Sequence, residues 1–169
     1  MSRVDRGTAL LAEALGVGAG ETLLDLGCGI GVIGIAIAKT TDAARVWMTD
    51  VNERAVALAA RNATRNGVRN RVTAEAGESY APVHDLRFHH IATNPPIRAG
   101  RDTVRRMIDE APDHLRDGGA LWLVARTRQG APSVQERMRV SFGDVEVVRR
   151  GGGYRVLRSM LAANAPTNP

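Results

Sequence analysis

The chain has 169 residues, enough for one domain with an ordinary core, and 44% of them are hydrophobic. No apolar run approaches the length of a membrane span and the first residues do not form a signal peptide, so we expect a cytoplasmic protein. The single cysteine excludes an internal disulfide, and a net charge of +5, carried almost entirely by arginine, mildly favours a polyanionic partner.

The first half of the chain predicts alternating helices and strands. Apolar residues recur with helical spacing near the start, and glycines then end that helix before a short apolar strand. The predicted elements are a helix over 4–15, a strand over 21–26, a helix over 32–39, a strand over 45–49, a helix over 52–66 and a strand over 71–74.

The second half continues this alternation and closes with a hairpin. A loop over 75–85 precedes a strand over 88–93, a helix over 101–115, a strand over 120–125, a helix over 132–140, and strands over 145–149 and 154–161. Repeated strand-helix units predict a parallel sheet with helices on both faces, and the closing hairpin adds antiparallel strands. We therefore predict a single α/β domain over 1–161, with a mostly parallel seven-stranded sheet and a frayed tail over 162–169.

A glycine turn, DLGCGIGVIG, spans residues 25–34 between the first strand and the next helix. Read from Gly29 it matches the G-x-G-x-x-G of dinucleotide sites, with Asp50 about 20 residues downstream. Read from Asp25 it is D-x-G-x-G-x-G, in which an acid ends the strand. That carboxylate disfavours a nearby pyrophosphate and suits a ligand with an ammonium or sulfonium group, which favours the second interpretation over a dinucleotide site or a turn without a ligand.

Further polar residues follow the later strands of the predicted sheet. Ligands of open α/β sheets bind at the carboxyl ends of the strands, where the strand order reverses. Asp50 ends the second strand and could accept both hydroxyls of a ribose, with Asn52 close enough to assist, and Glu78 could accept from an adenine amino group. Either acid could instead be a helix cap or a solvated loop charge. The four histidines form no metal pattern with other ligand residues, so we expect no metal.

Asn94-Pro95-Pro96 follows the fourth strand and predicts the reacting centre. A planar exocyclic amine is a poor nucleophile because its lone pair is delocalised. Two acceptors, the Asn94 side-chain oxygen and the Pro95 carbonyl, would draw the amine toward tetrahedral geometry and free that lone pair. The prolines fix the backbone, so these acceptors are in place before the substrate arrives.

Five segments resemble the methyltransferase small-domain family of class I S-adenosylmethionine (SAM) dependent methyltransferases: DLGCGIG, TDVNERA, TNPPIRAG, LRDGG and GGYRVL. The resemblance extends upstream to Val4-Asp5-Arg6-Gly7-Thr8 and is greatest to small single-domain archaeal-type members. It implies a Rossmann-like fold, SAM as cofactor and an N-methyltransferase, as in the family's guanine-N2 methyltransferases of ribosomal RNA. The cofactor residues it implies are Asp25, Gly27, Cys28, Gly29, Gly31, Asp50, Val51, Asn52, Glu78 and Ser79, and the catalytic ones are Asn94, Pro95 and Pro96.

The substrate side of this interpretation rests on Ile97, Arg98 and Arg101. Ile97 stands where relatives place a stacking aromatic residue, which weakens the adenine-N6 and glutamine-N5 alternatives. Arg98 and Arg101 are candidates for phosphate contacts if RNA is the substrate. The predicted function is methylation of an exocyclic amine of RNA, guanine N2 of ribosomal RNA, by a monomer or homodimer. The alternatives are a methyltransferase of a small molecule or protein glutamine, a non-catalytic SAM-binding partner, and a nicotinamide oxidoreductase.

Overall fold

The computed structural model of the chain describes residues 5–95, 100–128 and 130–163. The predicted site residues Pro96, Ile97 and Arg98 lie outside these ranges, as do the first four residues and positions 164–169 of the predicted frayed tail.

Five helices and seven strands form the described part of the chain. The helices are α1 (Arg6–Ala14), α2 (Val32–Thr40), α3 (Glu53–Arg65), α4 (Arg101–Glu110) and α5 (Ala131–Phe142). The strands are β1 (Thr22–Leu26), β2 (Arg45–Asp50), β3 (Val72–Ala76), β4 (Phe88–Thr93), β5 (Leu115–Arg126), β6 (Glu146–Gly151) and β7 (Tyr154–Met160). Among the helices described, none has the length and apolar character needed to cross a bilayer.

The strands form one sheet in the order β3-β2-β1-β4-β5-β7-β6. The first five strands pair in parallel, and β7 pairs antiparallel with both β5 and β6. One buried apolar cluster includes residues of α1, α2 and α3 on one face of the sheet, and a second includes residues of α4 and α5 on the other. The predicted Rossmann-like sheet with helices on both faces is confirmed.

The strand order reverses at β1, which pairs with β2 on one side and with β4 on the other. The helix that follows β1 packs on one face of the sheet and the helix that follows β4 packs on the other. The carboxyl ends of these two strands therefore border a crevice, which is where open α/β sheets bind their ligands.

The boundary between α4 and β5 differs from the sequence prediction. The helix ends at Glu110 instead of residue 115, and a single 3-10 turn that contains Pro112 follows it. β5 then begins at Leu115, five residues before the predicted start. Phe88 pairs with Leu115 but His90 pairs with Ala120, so the predicted Asp-Gly-Gly turn lies in a bulge inside the strand.

Candidate active site

The glycine turn presents bare backbone to the crevice at Gly27 and Gly29. Both residues have left-handed backbone angles, with φ of +70° and +54°. A Cβ atom at Gly29 would meet nothing within 4 Å, and one at Gly27 would meet only the methyl carbon of Met107 at 3.9 Å. The space that side chains would occupy is therefore open to a ligand.

Gly31 and Gly34 serve a different purpose, which is close packing of α2 on the sheet. A Cβ atom at either position would lie 2.9 Å from the side chain of Met48 in β2. Side chains there would push the start of α2 away from the strands, so these two glycines fix the position of the turn.

The backbone of the turn is tied to the end of β2. The N–H groups of Gly27 and Cys28 both donate to the carbonyl of Thr49, at 2.8 and 2.9 Å. The N–H of Gly29 donates to Asp50 Oδ2 at 2.8 Å. These donors are used within the protein, so the contribution of the turn to a ligand is its shape more than its N–H groups.

Asp50 joins the turn to the start of α3. While Oδ2 accepts from Gly29, Oδ1 accepts from the backbone N–H of Asn52 at 2.9 Å. The side chain of Asn52 points back to cap α3 by accepting from the N–H groups of Arg54 and Ala55. A half-exposed carboxylate thus stands at the crevice in a fixed orientation, with lone pairs left for further donors.

A cavity of about 300 Å³ lies at the ends of β1, β2 and β3. Of the predicted cofactor residues, it is lined by Gly27, Asp50, Val51, Glu78 and Ser79. Val51 is an apolar side chain that is 74% exposed there. The lining residues that the sequence analysis did not assign to the site are Leu26, Thr49, Gly77, Thr103, Arg106 and Met107.

Asp25 lies beneath the turn and does not line the cavity. It is 1% exposed and accepts from the N–H of Gly34 at 2.9 Å. Burial raises the pKa of its carboxyl to about 7, against the Gly34 hydrogen bond, and the nearby charge of Asp50 adds to the rise. The neighbouring Cys28 is 9% exposed, and burial together with Asp25 and Asp50 raises the pKa of its thiol far above neutrality, which is unsuited to a nucleophile.

Glu78 and Ser79 both contact α4 across the cavity. The Glu78 carboxylate forms an ion pair with Arg106, and the Ser79 hydroxyl donates to Glu110 at 3.3 Å. Arg106 also lies 4.0 Å from Glu110 along the helix. Arg106 therefore reaches the cavity as well as pairing along the helix, while Arg101 is the exposed first residue of α4.

Asn94 follows β4 and contacts the first helix of the chain. Its side-chain nitrogen donates to Thr8 Oγ1 at 2.8 Å and to Asp5 Oδ2 at 3.1 Å. Both hydrogens of the amide are thereby used, and Oδ1 accepts no hydrogen bond from the residues that the structure describes. Pro95, half-buried, comes next in the chain. No residue of α1 was among the site residues predicted from the sequence.

Asp5 is the N-cap of α1 and the centre of this contact. Oδ2 accepts from the N–H groups of Gly7 and Thr8, and Oδ1 accepts from the hydroxyl of Tyr154 at 3.2 Å. Burial alone would raise the pKa of this carboxyl, but the hydrogen bonds from Thr8, Asn94, Tyr154 and Gly7 together lower it. Asp5 is therefore ionised at neutral pH and can only accept hydrogen bonds.

Two histidines of β4 have structural partners in the early part of the strand. Trp122 donates to His90 Nδ1 at 3.1 Å, so His90 Nε2 carries the proton and donates to Glu21 at 2.8 Å. His89 Nδ1 lies 3.1 Å from the N–H of Thr22. Within residues 5–95, 100–128 and 130–163, no three His, Cys, Asp or Glu side chains are arranged to hold a metal ion.

The arrangement of the sheet distinguishes a SAM site from a dinucleotide site, the two kinds of cofactor site that the sequence of the glycine turn resembles. A dinucleotide fold has no need of an antiparallel hairpin beyond β5, whereas the present sheet closes with one and has an acid beneath the turn. Fold and site together define a class I SAM-dependent methyltransferase. The family model described as the methyltransferase small domain matches residues 1–158, and the chain belongs to that family.

Two relatives are similar to nearly the whole of this chain, and the second of them is named as a methyltransferase. A Bacillus subtilis protein, YbxB, is 38% identical over 158 residues, which cover 92% of this chain and 78% of its own. The ribosomal RNA small subunit methyltransferase C of Alcanivorax borkumensis is 35% identical over 167 residues, covering 95% of this chain. This chain spans about half the length of that relative, 49%.

Solved structures show the same fold at lower identity. The T. thermophilus 16S rRNA guanine-N2 methyltransferase, in a complex with AdoMet and guanosine, superposes with a TM-score of 0.84 at 24% identity. The match covers 95% of this chain and 44% of that one. A methyltransferase from Pyrococcus furiosus gives a TM-score of 0.77 at 22% identity, covering 91% of this chain and 81% of its own.

Proposed function

We propose that the chain transfers a methyl group from SAM to an exocyclic amine of RNA, with guanine N2 of ribosomal RNA as the favoured target. The observation that carries the proposal is the orientation of Asn94. Its nitrogen is held by α1, which leaves its oxygen as an acceptor at the end of β4, across the crevice from the glycine turn. An amide oxygen in that place is suited to receive an N–H of a planar amine.

The residues around the cavity fit the cofactor. The open backbone at Gly27 and Gly29 admits a ligand at close range, and the exposed Val51 offers an apolar surface for a purine ring. Asp50 has lone pairs free to accept ribose hydroxyls. Glu78 would reach the adenine amino group only by sharing its carboxylate with Arg106.

The chain's own residues would act on the acceptor amine. SAM, when bound, supplies a methyl group activated by a sulfonium. Asn94 Oδ1 and the Pro95 carbonyl would accept the two hydrogens of the amine, which localises its lone pair. After the methyl group has arrived, the nitrogen releases one proton to solvent, because a neutral amide does not take it up. Asn94 therefore contributes orientation and electrostatic stabilisation, both in place before the substrate binds.

RNA is favoured as the substrate by the charge around the site. Arg126, at the end of β5, lies over the ring of Tyr154 with its guanidinium carbon 5.2 Å from the ring centre. Arg6 begins α1 next to Asp5, and its side chain passes close to Gly152 in the hairpin turn. Within the described part of the chain, neither arginine nor the exposed Arg101 and Arg128 forms an ion pair with a carboxylate, so all four are free to contact phosphates.

If Arg126 contacts a phosphate, Arg126→Gln should weaken RNA binding. The slope of log affinity against log salt should become shallower by about 0.7 if one phosphate contact to a single strand is lost. Arg45→Gln is the matched control. Arg45 is also exposed, but it begins β2 and so lies at the amino ends of the parallel strands, away from the site at their carboxyl ends. Equal salt slopes for both variants and the unmodified protein would contradict a phosphate contact at Arg126. The measurement is titration of labelled single-stranded RNA at several salt concentrations.

The proposed function is tested by transfer of a labelled methyl group from SAM to purified RNA, to protein extract and to small-molecule extract. We expect label in RNA, located in a guanine by nucleoside analysis, and strongly reduced label with Asn94→Ala. Label in protein or small molecules instead would replace the RNA proposal with that substrate. SAM binding with transfer to none of the three would favour a non-catalytic partner.

If ribosomal RNA is the substrate, we expect the protein to act in the cytoplasm. A monomer or homodimer remains the expected assembly.

A further inference from the structure

The segment Asp5-Arg6-Gly7-Thr8 is a motif that neither the cavity nor the cofactor explains. It lies 86 to 89 positions before Asn94 in the chain, yet two of its side chains contact the Asn94 amide. Tyr154, a further 60 positions on, contacts the same aspartate. Three distant parts of the sequence therefore converge on one side chain.

We propose that Asp5 and Thr8 are positioning residues that fix which end of the Asn94 amide faces the substrate amine. This inference rests on the proposed function, in which Asn94 Oδ1 accepts from that amine. An asparagine amide presents either an acceptor or two donors when it rotates by half a turn, and the donor end would repel the N–H groups of the substrate.

The contacts decide between the two orientations by chemistry. Asp5 is ionised and has no hydrogen to give, so the atom of Asn94 that faces it at 3.1 Å is the nitrogen. The second amide hydrogen is taken by Thr8 Oγ1 at 2.8 Å. In the flipped orientation, Oδ1 would face the Asp5 carboxylate, which has no hydrogen to donate and would repel it. The Thr8 hydroxyl can donate or accept, so Asp5 sets the orientation of the amide and Thr8 holds its nitrogen in place. The oxygen is thus directed away from α1.

Asp5 is itself held in place, so the orientation is rigid. Its two oxygens receive two backbone N–H groups and the hydroxyl of Tyr154 in addition to Asn94. Gly7 permits this arrangement, because a Cβ atom there would lie 2.8 Å from the Tyr154 ring. In the motif D-x-G-T, the aspartate therefore caps the helix, the glycine lets Tyr154 approach closely, and the threonine provides a second acceptor for the Asn94 amide.

The sharpest test is Thr8→Val, which keeps the shape of the side chain and removes the acceptor. We expect kcat to fall about tenfold at saturating SAM, with the Kd for SAM unchanged, because one of two restraints on the amide is lost. Thr8→Ser, which keeps the hydroxyl, should retain the activity of the unmodified protein. Asp5→Ser keeps a residue suited to cap α1, but the serine side chain is too short to reach Asn94. The double variant Asp5→Ser with Thr8→Val should therefore lose nearly as much kcat as Asn94→Ala.

A second measurement does not depend on methyl transfer. The side-chain amide signals of Asn94 in a nitrogen–proton NMR spectrum are identified by their absence in Asn94→Ala. In the unmodified protein both amide protons should exchange slowly with water, and in Thr8→Val at least one should exchange faster and shift. Protons that exchange in Thr8→Val as they do in the unmodified protein would overturn the inference even if methylation is real. Altered protons with an unchanged kcat, or a kcat loss shared by Thr8→Ser, would also overturn it. Failure of the unmodified protein to methylate any acceptor would instead count against the proposed function.

Discussion

Asn94→Ala is expected to lower kcat by about 10²- to 10³-fold, the loss typical of removing one preorganised hydrogen-bonding group from a reacting centre. The SAM affinity should stay within about twofold, because Asn94 lies at the end of β4 and does not line the cavity that we assign to the cofactor. Steady-state methyl transfer at saturating SAM and saturating acceptor gives kcat, and calorimetry gives the SAM affinity.

Asp50→Ala provides the reciprocal control. Asp50 lines the cavity and holds the N–H of Gly29, so its loss should weaken SAM binding while turnover at saturating SAM is largely kept. Equal losses of binding and turnover in both variants would contradict the division of roles between the ends of β2 and β4.

Asp25→Asn is expected to change how stability depends on pH. The folded protein keeps the Asp25 proton up to a pKa of about 7, whereas the unfolded chain releases it near 3.8. Between these values the folded state binds more protons, so this group lowers the free energy of unfolding as pH rises from about 4 to 7 and has no further effect above that. A shift of about three pH units corresponds to a contribution on the order of 4 kcal/mol.

Asparagine cannot lose a proton in this range, so the variant should lack that contribution. The free energy of unfolding of the variant minus that of the unmodified protein should therefore rise by several kcal/mol, about 4 at most, between pH 4 and pH 8. The difference is the useful quantity, because Asp5, Glu21 and Asp109 have lowered pKa values and contribute the opposite slope in both proteins. Urea unfolding without SAM at several pH values measures it. Parallel curves for the two proteins would show that Asp25 is already ionised in the folded state.

Local sequence signals predicted where the strands that carry the candidate site end. The glycine turn, Asp50 and Asn94 each follow a short apolar run, and the topology rule for open sheets brings such positions together without knowledge of the packing. The sheet itself was predictable because strands and helices alternate with strong periodicity and the hairpin has an unmistakable glycine turn.

Local sequence signals could not predict the contacts between elements that are distant in the sequence. The contribution of Thr103 and Met107 to the cavity depends on how α4 packs over β1, and nothing in their local sequence marks them. The sequence likewise gives no reason to pair Arg106 with Glu78 in preference to Glu110, four residues along the helix. The end of α4 at Glu110 could have been predicted, because Pro112 disrupts a helix. Apolar residues with helical spacing continue past Pro112, however, and favoured a longer helix.

The contact of Asp5 with Asn94 and Tyr154 has a consequence for how the protein reaches its working state. These partners are separated by 89 and 149 positions, and α1 packs against β5, β6 and β7. Contacts of such long sequence separation close large loops, which slows their formation. We therefore expect cofactor binding to appear earlier in refolding than catalytic competence. Loosening of α1 alone in the native protein would likewise switch off transfer while the sheet stays intact.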